Sequence, residues 1–225
     1  MFSLVNKKAV ITGGGSGIGK AIAVTFAAQG AAVHVLELTR EAGADTVATI
    51  SAMGGSVTVH ACNVANKDEV NKVFASIGAF DILVNNAGLA VGRGPIDEGV
   101  SEDWERMIDT NIKGLLYVTK AVVPFLKLQK HGHIVNIASI AGKEVYPGGN
   151  VYCASKHAVD ALSRSMRIDL ISYGIKVTNI APGAAETEFS LVRFKGDQST
   201  ADSVYEGYDA LQAEDIAESV LFAVT

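Results

Sequence analysis

The chain has 225 residues, 48% of them hydrophobic and 19% charged, which is ordinary globular composition with enough apolar material for a sizeable core. A formal charge of −5 with no basic run argues against nucleic acid or an anionic membrane as partner. No apolar run approaches the ~20 residues of a membrane span, and the opening residues, MFSLVNKK, lack the order of a secretory signal.

Short β-branched runs alternate with longer helical patterns. Residues 8–12 (KAVIT) read as a strand and 18–29 as a helix ended by Gly30. Residues 32–38 give a second strand, 40–52 a helix, Gly54 and Gly55 a turn, and 56–61 a third strand. Asn66 caps a helix ending near Gly78, and 81–84 is a fourth strand. A Gly-rich loop, 88–99, leads into one helical region from Ser101 to about Leu128. Residues 133–137 form a fifth strand, 151–172 a long helix after a loop rich in Gly and Tyr, and 175–180 a sixth strand. An acidic stretch, 196–209, reads as mobile, and 213–223 as a last helix. Such alternation predicts a single α/β domain spanning the chain: a doubly wound, Rossmann-like parallel sheet covered on both faces. Cys62 and Cys153 form no CxxC pair and read as reduced thiols of a cytoplasmic protein.

The first strand runs into TGGGSGIG, residues 12–19. Glycines at a first strand-to-helix junction let backbone N–H groups and a helix N-terminus approach phosphates closely. The fitting glycines are Gly13, Gly17 and Gly19, spaced GxxxGxG, with Gly15, Ser16 and Ile18 between them. Gly14 and Gly19-Lys20 come close to a nucleotide-triphosphate loop, but Ala21 stands where Ser or Thr would hold Mg²⁺. A dinucleotide is therefore expected. Glu37 ends the second strand, where a carboxylate can accept from both ribose hydroxyls but would repel a 2′-phosphate. With Arg40 the nearest cation, this predicts NAD over NADP.

Tyr152 and Lys156 stand four apart on one helical face, just after the fifth strand and Ser139. Taken together, TGGGSGIG, NNAG at 85–88, Asn111, Ser139, Tyr152 with Lys156, and Pro182-Gly183 resemble the short-chain dehydrogenase/reductase family, in its order, over about residues 7–218. The resemblance implies a nicotinamide-dependent enzyme interconverting a secondary alcohol and a ketone. Tyr152 would exchange a proton with the substrate oxygen, Lys156 would favour phenolate and hold the nicotinamide ribose, Ser139 would bond the reacting oxygen, and Asn111 would hold a water. A free phenol with pKa ~10 needs ~4 kcal/mol of preferential phenolate stabilisation to work near neutrality. Cofactor contacts carry over to Asn63 and Val64, to Asn85, Ala87 and Gly88, and to the nicotinamide loop with Pro182, Gly183, Ala185 and Thr187. Asn63 stands for a usual Asp, and Ala185 for a usual Val.

From Asn85 onward the chain is more similar to the 3-hydroxy acid (serine-type) dehydrogenases, through DWE at 103–105, MIDTN at 107–111, GGNVY at 148–152 and TEFSLVRFKGD at 187–197. That subgroup uses NADP, against the reading of Glu37. A hydroxy acid needs a cation for its carboxylate, and Arg193 or Lys195 is the candidate beside Ser139 and Tyr152. Alternatives are a broad reductase of sugars, polyols, steroids or acyl ketones, and a silent NAD-binding regulator. His131 and His133 lack a third ligand at motif spacing, so no metal is expected. Trp104 and Tyr117 read as packing residues. The resemblance implies a further strand after the last helix, whereas this sequence ends at Thr225, so either a missing tail or an unpaired sheet edge is expected. The family also implies a homodimer or homotetramer.

Overall fold

The structure, a computed structural model, describes residues 2–207 and 209–225. Strands β1 (Lys8–Thr12), β2 (Ala32–Glu37), β3 (Ser56–Ala61), β4 (Ile82–Asn85), β5 (Gly132–Ile137) and β6 (Ile175–Ile180) form one parallel sheet in the order β3-β2-β1-β4-β5-β6. Nine helices surround it among the described residues: α1 (Gly17–Ala28), α2 (Ala44–Ala52), α3 (Lys67–Ile77), α4 (Ser101–Ile108), α5 (Leu115–Gln129), α6 (Asn150–Leu170), α7 (Phe189–Arg193), α8 (Gln198–Ser203) and α9 (Ala213–Val224).

Strand side chains alternate between two cores. Ile11, Val33, Val35, Val84 and Val135 pack against Ile22 and Phe26 of α1, Ile50 of α2 and Val220 of α9. Val10, Leu36, Leu83 and Ile134 point the other way, onto Phe74 of α3, Val122 and Leu126 of α5 and Val159 of α6. Burial on both faces explains why these strands read as apolar runs rather than alternating patterns. Each large side chain here is costly to remove: Phe26→Ala would lose ~3–5 kcal/mol. Asn66 caps α3 as expected, its Oδ1 accepting from Asp68 and Glu69 N–H at 3.0 and 3.3 Å.

Strand order reverses between β1 and β4, and a crevice forms beyond the carboxyl ends at such a switch point. A third, smaller apolar cluster lies at that end, with Ala90, Val91, Met107, Ala141, Tyr152 and Cys153 at its centre and Trp104 packed against it. Tyr117 packs on the second core. Among the described residues β6 pairs only with β5, so β3 and β6 are the sheet edges.

Two regions differ from the sequence reading. The single helix expected from Ser101 to Leu128 is interrupted at Asp109–Gly114 by a wider, π-type turn between α4 and α5. The stretch expected to be mobile contains α8, capped by Asp197, whose carboxylate accepts from Thr200 N–H at 3.2 Å. Tyr208 in that stretch, like Met1, lies outside the described residues.

Candidate active site

The Gly-rich turn between β1 and α1 closes on itself. Gly13 has φ +64°, and a Cβ on Gly19 would run into the Gly13 carbonyl, so neither position has room for a side chain. Ser16, at the N-cap of α1, caps no N–H, and the helix's first turn has no acidic residue. That end of α1 is therefore disposed to receive an anion, which fits a dinucleotide pyrophosphate. Thr187 lies over Gly17, 3.5 Å from where a Cβ would stand, so the loop after β6 approaches the turn.

Thr12 and Asn86 lock the ends of β1 and β4. The Thr12 hydroxyl oxygen accepts from Asn86 and Ala87 N–H at 3.1 and 3.0 Å, and Asn86 Nδ2 donates to Thr12 and Gly13 carbonyls at 3.0 and 2.8 Å. Asn85 is the last residue of β4. It borders a small cavity with Val64, Ala87 and Leu115, but its Nδ2 donates to Asn136 Oδ1 at 2.9 Å and Thr119 Oγ1 at 3.3 Å, within a buried polar network. Asn63 uses its Oδ1 to accept from Ala65 N–H at 3.0 Å.

Tyr152 opens α6 and is 9% exposed, with the Phe189 ring 5.5 Å away between centroids. Burial pushes its pKa up to about 12, while Ser139 and, less strongly, Arg193 pull it down. Lys156, one turn on, is buried with its Nζ donating to the Ile137 carbonyl at 2.9 Å and lying 5.9 Å from the Tyr152 ring centroid. Burial lowers its pKa to about 8, leaving it mostly protonated at pH 7. The protein alone thus does not favour phenolate at neutral pH, because desolvation outweighs the Ser139 hydrogen bond and the Arg193 charge. Ser139 follows β5 and begins a short turn, its Oγ accepting from Ala141 N–H at 3.1 Å.

Asn111 sits in the π-type turn, 3% exposed. Its Oδ1 accepts from Leu89 N–H and its Nδ2 donates to Leu89 O, both at 2.8 Å, and Nδ2 also donates to Ser155 Oγ at 3.0 Å. Ser155 Oγ in turn donates to the Tyr152 carbonyl at 2.8 Å. The Asn111 amide therefore joins the loop after β4 to the first turn of α6. Gly88 lies between: a Cβ there would be 3.2 Å from Asn111 Oδ1 and 3.7 Å from Lys156 Nζ.

The loop after β6 forms a strap over this group. Pro182 O accepts from Ile140 N–H at 2.8 Å, and Ala184 and Glu186 exchange backbone bonds with Leu211 on either side of Ala185. The Tyr205 hydroxyl donates to Ala185 O at 3.0 Å and lies 2.7 Å from Ser190 Oγ. Gly183, beside them, has open space where a Cβ would stand. Arg193 ends α7 beneath the strap. Its Nη1 donates to the Tyr146 hydroxyl at 2.7 Å, and its Cζ is 5.6 Å from the Tyr152 ring centroid. Its Nε and Nη2 are buried and have no partner among the described residues.

Lys195 does not join Arg193. Its ammonium is 2.7 Å from Asp103 on α4, so the carboxylate competes for the charge a substrate would need. Neither histidine of the HxH pair faces the site: His131 is 3.2 Å from Asp81, and His133 Nε2 is 2.8 Å from Thr178 Oγ1. Tyr146, Phe189, Leu89 and Ser155 were not read from the sequence as site residues. Only Tyr146 carried a signal, an aromatic in the Gly-rich loop just before Tyr152.

A Gly-rich turn at the start of α1 and a buried Tyr–Lys pair on α6 fit an α/β oxidoreductase dependent on a nicotinamide dinucleotide. The short chain dehydrogenase family profile matches residues 7–197, and the chain belongs to that family. It is 41% identical over 221 residues to the NADP-dependent 3-hydroxy acid dehydrogenase of Escherichia coli (strain K12), covering 96% of this chain and 88% of the relative. It is 43% identical over 222 residues to a sulfoacetaldehyde reductase of Chromohalobacter salexigens, covering 96% and 87%. The closed form of serine dehydrogenase complexed with NADP+ superposes with a TM-score of 0.92 and 41% identity, over 97% of this chain and 89% of that one.

These relatives overturn the preference for NAD read from Glu37, since the dehydrogenases among them are NADP proteins. The geometry shows why the residue misled. Glu37 Oε1 accepts from Gly15 N–H at 2.7 Å, and burial raises its pKa. The carboxylate is turned into the Gly-rich loop, a placement that the repulsion argument did not include. No helix of the described residues is long and apolar enough to cross a membrane.

Proposed function

We propose that the protein is an NADP-dependent oxidoreductase of small 3-hydroxy acids of the size of serine or 3-hydroxypropanoate. The observation that carries this reading is the unpaired Nε/Nη2 edge of Arg193 beside Tyr152. That edge of a guanidinium makes two parallel hydrogen bonds to a carboxylate.

When bound, NADP accepts hydride from the carbinol carbon or returns it to the ketone. The residues suited to hold it are Gly13, Gly15, Ser16, Gly17, Ile18 and Gly19 at the pyrophosphate, Val64 and Ala87 along the crevice, and Gly183, Ala185 and Thr187 at the nicotinamide end. Tyr152 takes the hydroxyl proton in oxidation and returns it in reduction. Ser139, which already pulls the Tyr152 pKa down, donates to the same substrate oxygen. Lys156 supplies positive charge behind the phenol. Asn111 acts as a positioning residue through Leu89 and Ser155.

Initial rates over a panel of 3-hydroxypropanoate, serine, sulfoacetaldehyde and a neutral secondary alcohol or its ketone, with NADP in the matching redox state, test this reading. Sulfoacetaldehyde belongs there because a guanidinium edge accepts a sulfonate as it does a carboxylate. Turnover of the acids is expected to exceed that of the neutral compound; turnover of the neutral compound alone would overturn the reading. We further propose that the protein works in the cytoplasm, where its two free, buried cysteines would stay reduced, and as a homodimer or homotetramer. Light scattering tests the assembly.

A further inference from the structure

Arg193 is not the sole cation at the site. The Cζ atoms of Arg93 and Arg193 lie 5.8 and 5.2 Å from the same Tyr146 ring centroid. Arg93 comes from the loop after β4, and its position is fixed rather than casual. Gly148, at φ +73°, has no Cβ, and one built there would be 3.0 Å from Arg93 Cγ. Asn150 Nδ2 donates to Gly94 O at 3.0 Å, and Gly94 N–H reaches Gly148 O at 3.4 Å, which ties this loop to the one carrying Tyr146.

Neither guanidinium has a carboxylate within ion-pair distance among the described residues. Asp97 and Glu98 follow Arg93 in its own loop and are exposed, yet neither pairs with it. Two unneutralised cations on one tyrosine are unusual in a chain of net charge −5. Both guanidiniums lie by one ring, so an anion that reaches that ring is drawn by both. Arg193 has buried nitrogens, whereas Arg93 is exposed.

We propose that Arg93 is a specificity-determining residue that binds a second anionic group on the substrate, so that the preferred substrates are 3-hydroxy acids carrying two negative charges. Arg193 takes the carboxylate nearer the reacting hydroxyl, and Arg93 takes the outer one. The proposal rests on the hydroxy-acid reading above and extends it.

The experiment compares 3-hydroxypropanoate with 3-hydroxyglutarate in the wild type and in Arg93→Met. In the wild type, kcat/KM for the diacid is expected to exceed that for the monoacid by about tenfold at low salt. Arg93→Met is expected to remove that preference, lowering the diacid value about tenfold and the monoacid value little. Calorimetry supplies a readout without turnover: glutarate, which lacks the hydroxyl, should bind the NADP-loaded wild type more tightly than butanoate, and Arg93→Met should equalise them. Equal losses on both acids, or no diacid preference in the wild type, would overturn the role of Arg93 and leave the hydroxy-acid reading standing. Turnover of neutral alcohols with neither acid accepted would instead remove the reading beneath it.

Discussion

Arg193 gives Nη1 to the Tyr146 hydroxyl at 2.7 Å and keeps its Nε/Nη2 edge buried and unpaired among the described residues. The tyrosine fixes the fork in one orientation, and its own O–H remains able to donate. A buried, unsatisfied cationic edge is unfavourable in the free protein and becomes favourable when an anion fills it. Arg193→Ala is therefore expected to lower kcat/KM for 3-hydroxypropanoate by about a hundredfold while changing that for a neutral secondary alcohol by less than about threefold. Arg193→Lys restores charge without the fork and should recover only part of the loss. Lys195→Ala, which only releases Asp103, should leave the acid preference unchanged. Steady-state kinetics on both substrates checks all three; an equal loss on acid and alcohol in Arg193→Ala would remove the anchor.

Tyr152→Phe deletes one oxygen from a residue that is 9% exposed and packed on Phe189. The ring stays, so the fold and NADP binding should persist. The expected result is a fall in kcat of roughly 10²–10⁴ with the dissociation constant for NADP, read by fluorescence, within about twofold of wild type. Near-normal turnover would exclude Tyr152 as the proton carrier.

Lys156 links activity to stability with a definite sign. Its pKa falls from 10.5 in the unfolded chain to about 8 in the fold because the ammonium is buried. Below pH 8 both states hold the proton, and folding bears the whole cost of burying the charge, on the order of 3 kcal/mol. Between pH 8 and 10.5 only the unfolded chain holds it, so this cost shrinks as pH rises. Lys156→Met should accordingly raise the urea midpoint at pH 7 and flatten its rise over that interval, while turnover is lost. A lower midpoint at pH 7 would mean that the Ile137 carbonyl bond outweighs desolvation.

His133 predicts the acid side. Burial and Lys176 push its pKa from 6.5 down to about 4, and the neutral ring meets Thr178. From pH 6.5 down to 4 the unfolded chain takes up a proton that the fold refuses, so stability drops as pH falls through that window. His34, similarly pushed to about 4 by burial and stacked beside His60, adds to the same loss. Replacing His133 by Gln should reduce the slope of the urea midpoint between pH 6.5 and 4.5; an unchanged slope would assign the loss elsewhere.

Much of the architecture was legible because strands buried on both faces are written as unbroken apolar runs. KAVIT became Lys8–Thr12, and β3 and β6 match their expected bounds. The fixed spacing of Tyr152 and Lys156 placed both on α6, since one helical turn separates them whatever the context. Features that depend on where a side chain turns were not legible. Nothing in the sequence around Glu37 says that its carboxylate folds back onto Gly15. Arg193 and Lys195 stand two residues apart in one loop, and only the position of Asp103 on α4 separates their fates. Likewise Asn85 and Asn86 are neighbours on one strand end, and the alternation of faces sends the first into the polar network under the sheet and the second onto the Gly-rich turn.

The π-type turn at Asp109–Gly114 makes residue count itself a functional property. Deleting one residue between α4 and α5 would let the segment wind as ordinary α-helix, an improvement by local propensity alone. It would also rotate Asn111 by about 100° around the axis and pull its amide off Leu89 and Ser155. The loop bearing Arg93 and the helix bearing Tyr152 would then lose one of the ties between them. A length change there, harmless to any measure of helix content, would separate the groups that must meet on one substrate, so this segment should tolerate substitution more readily than insertion or deletion.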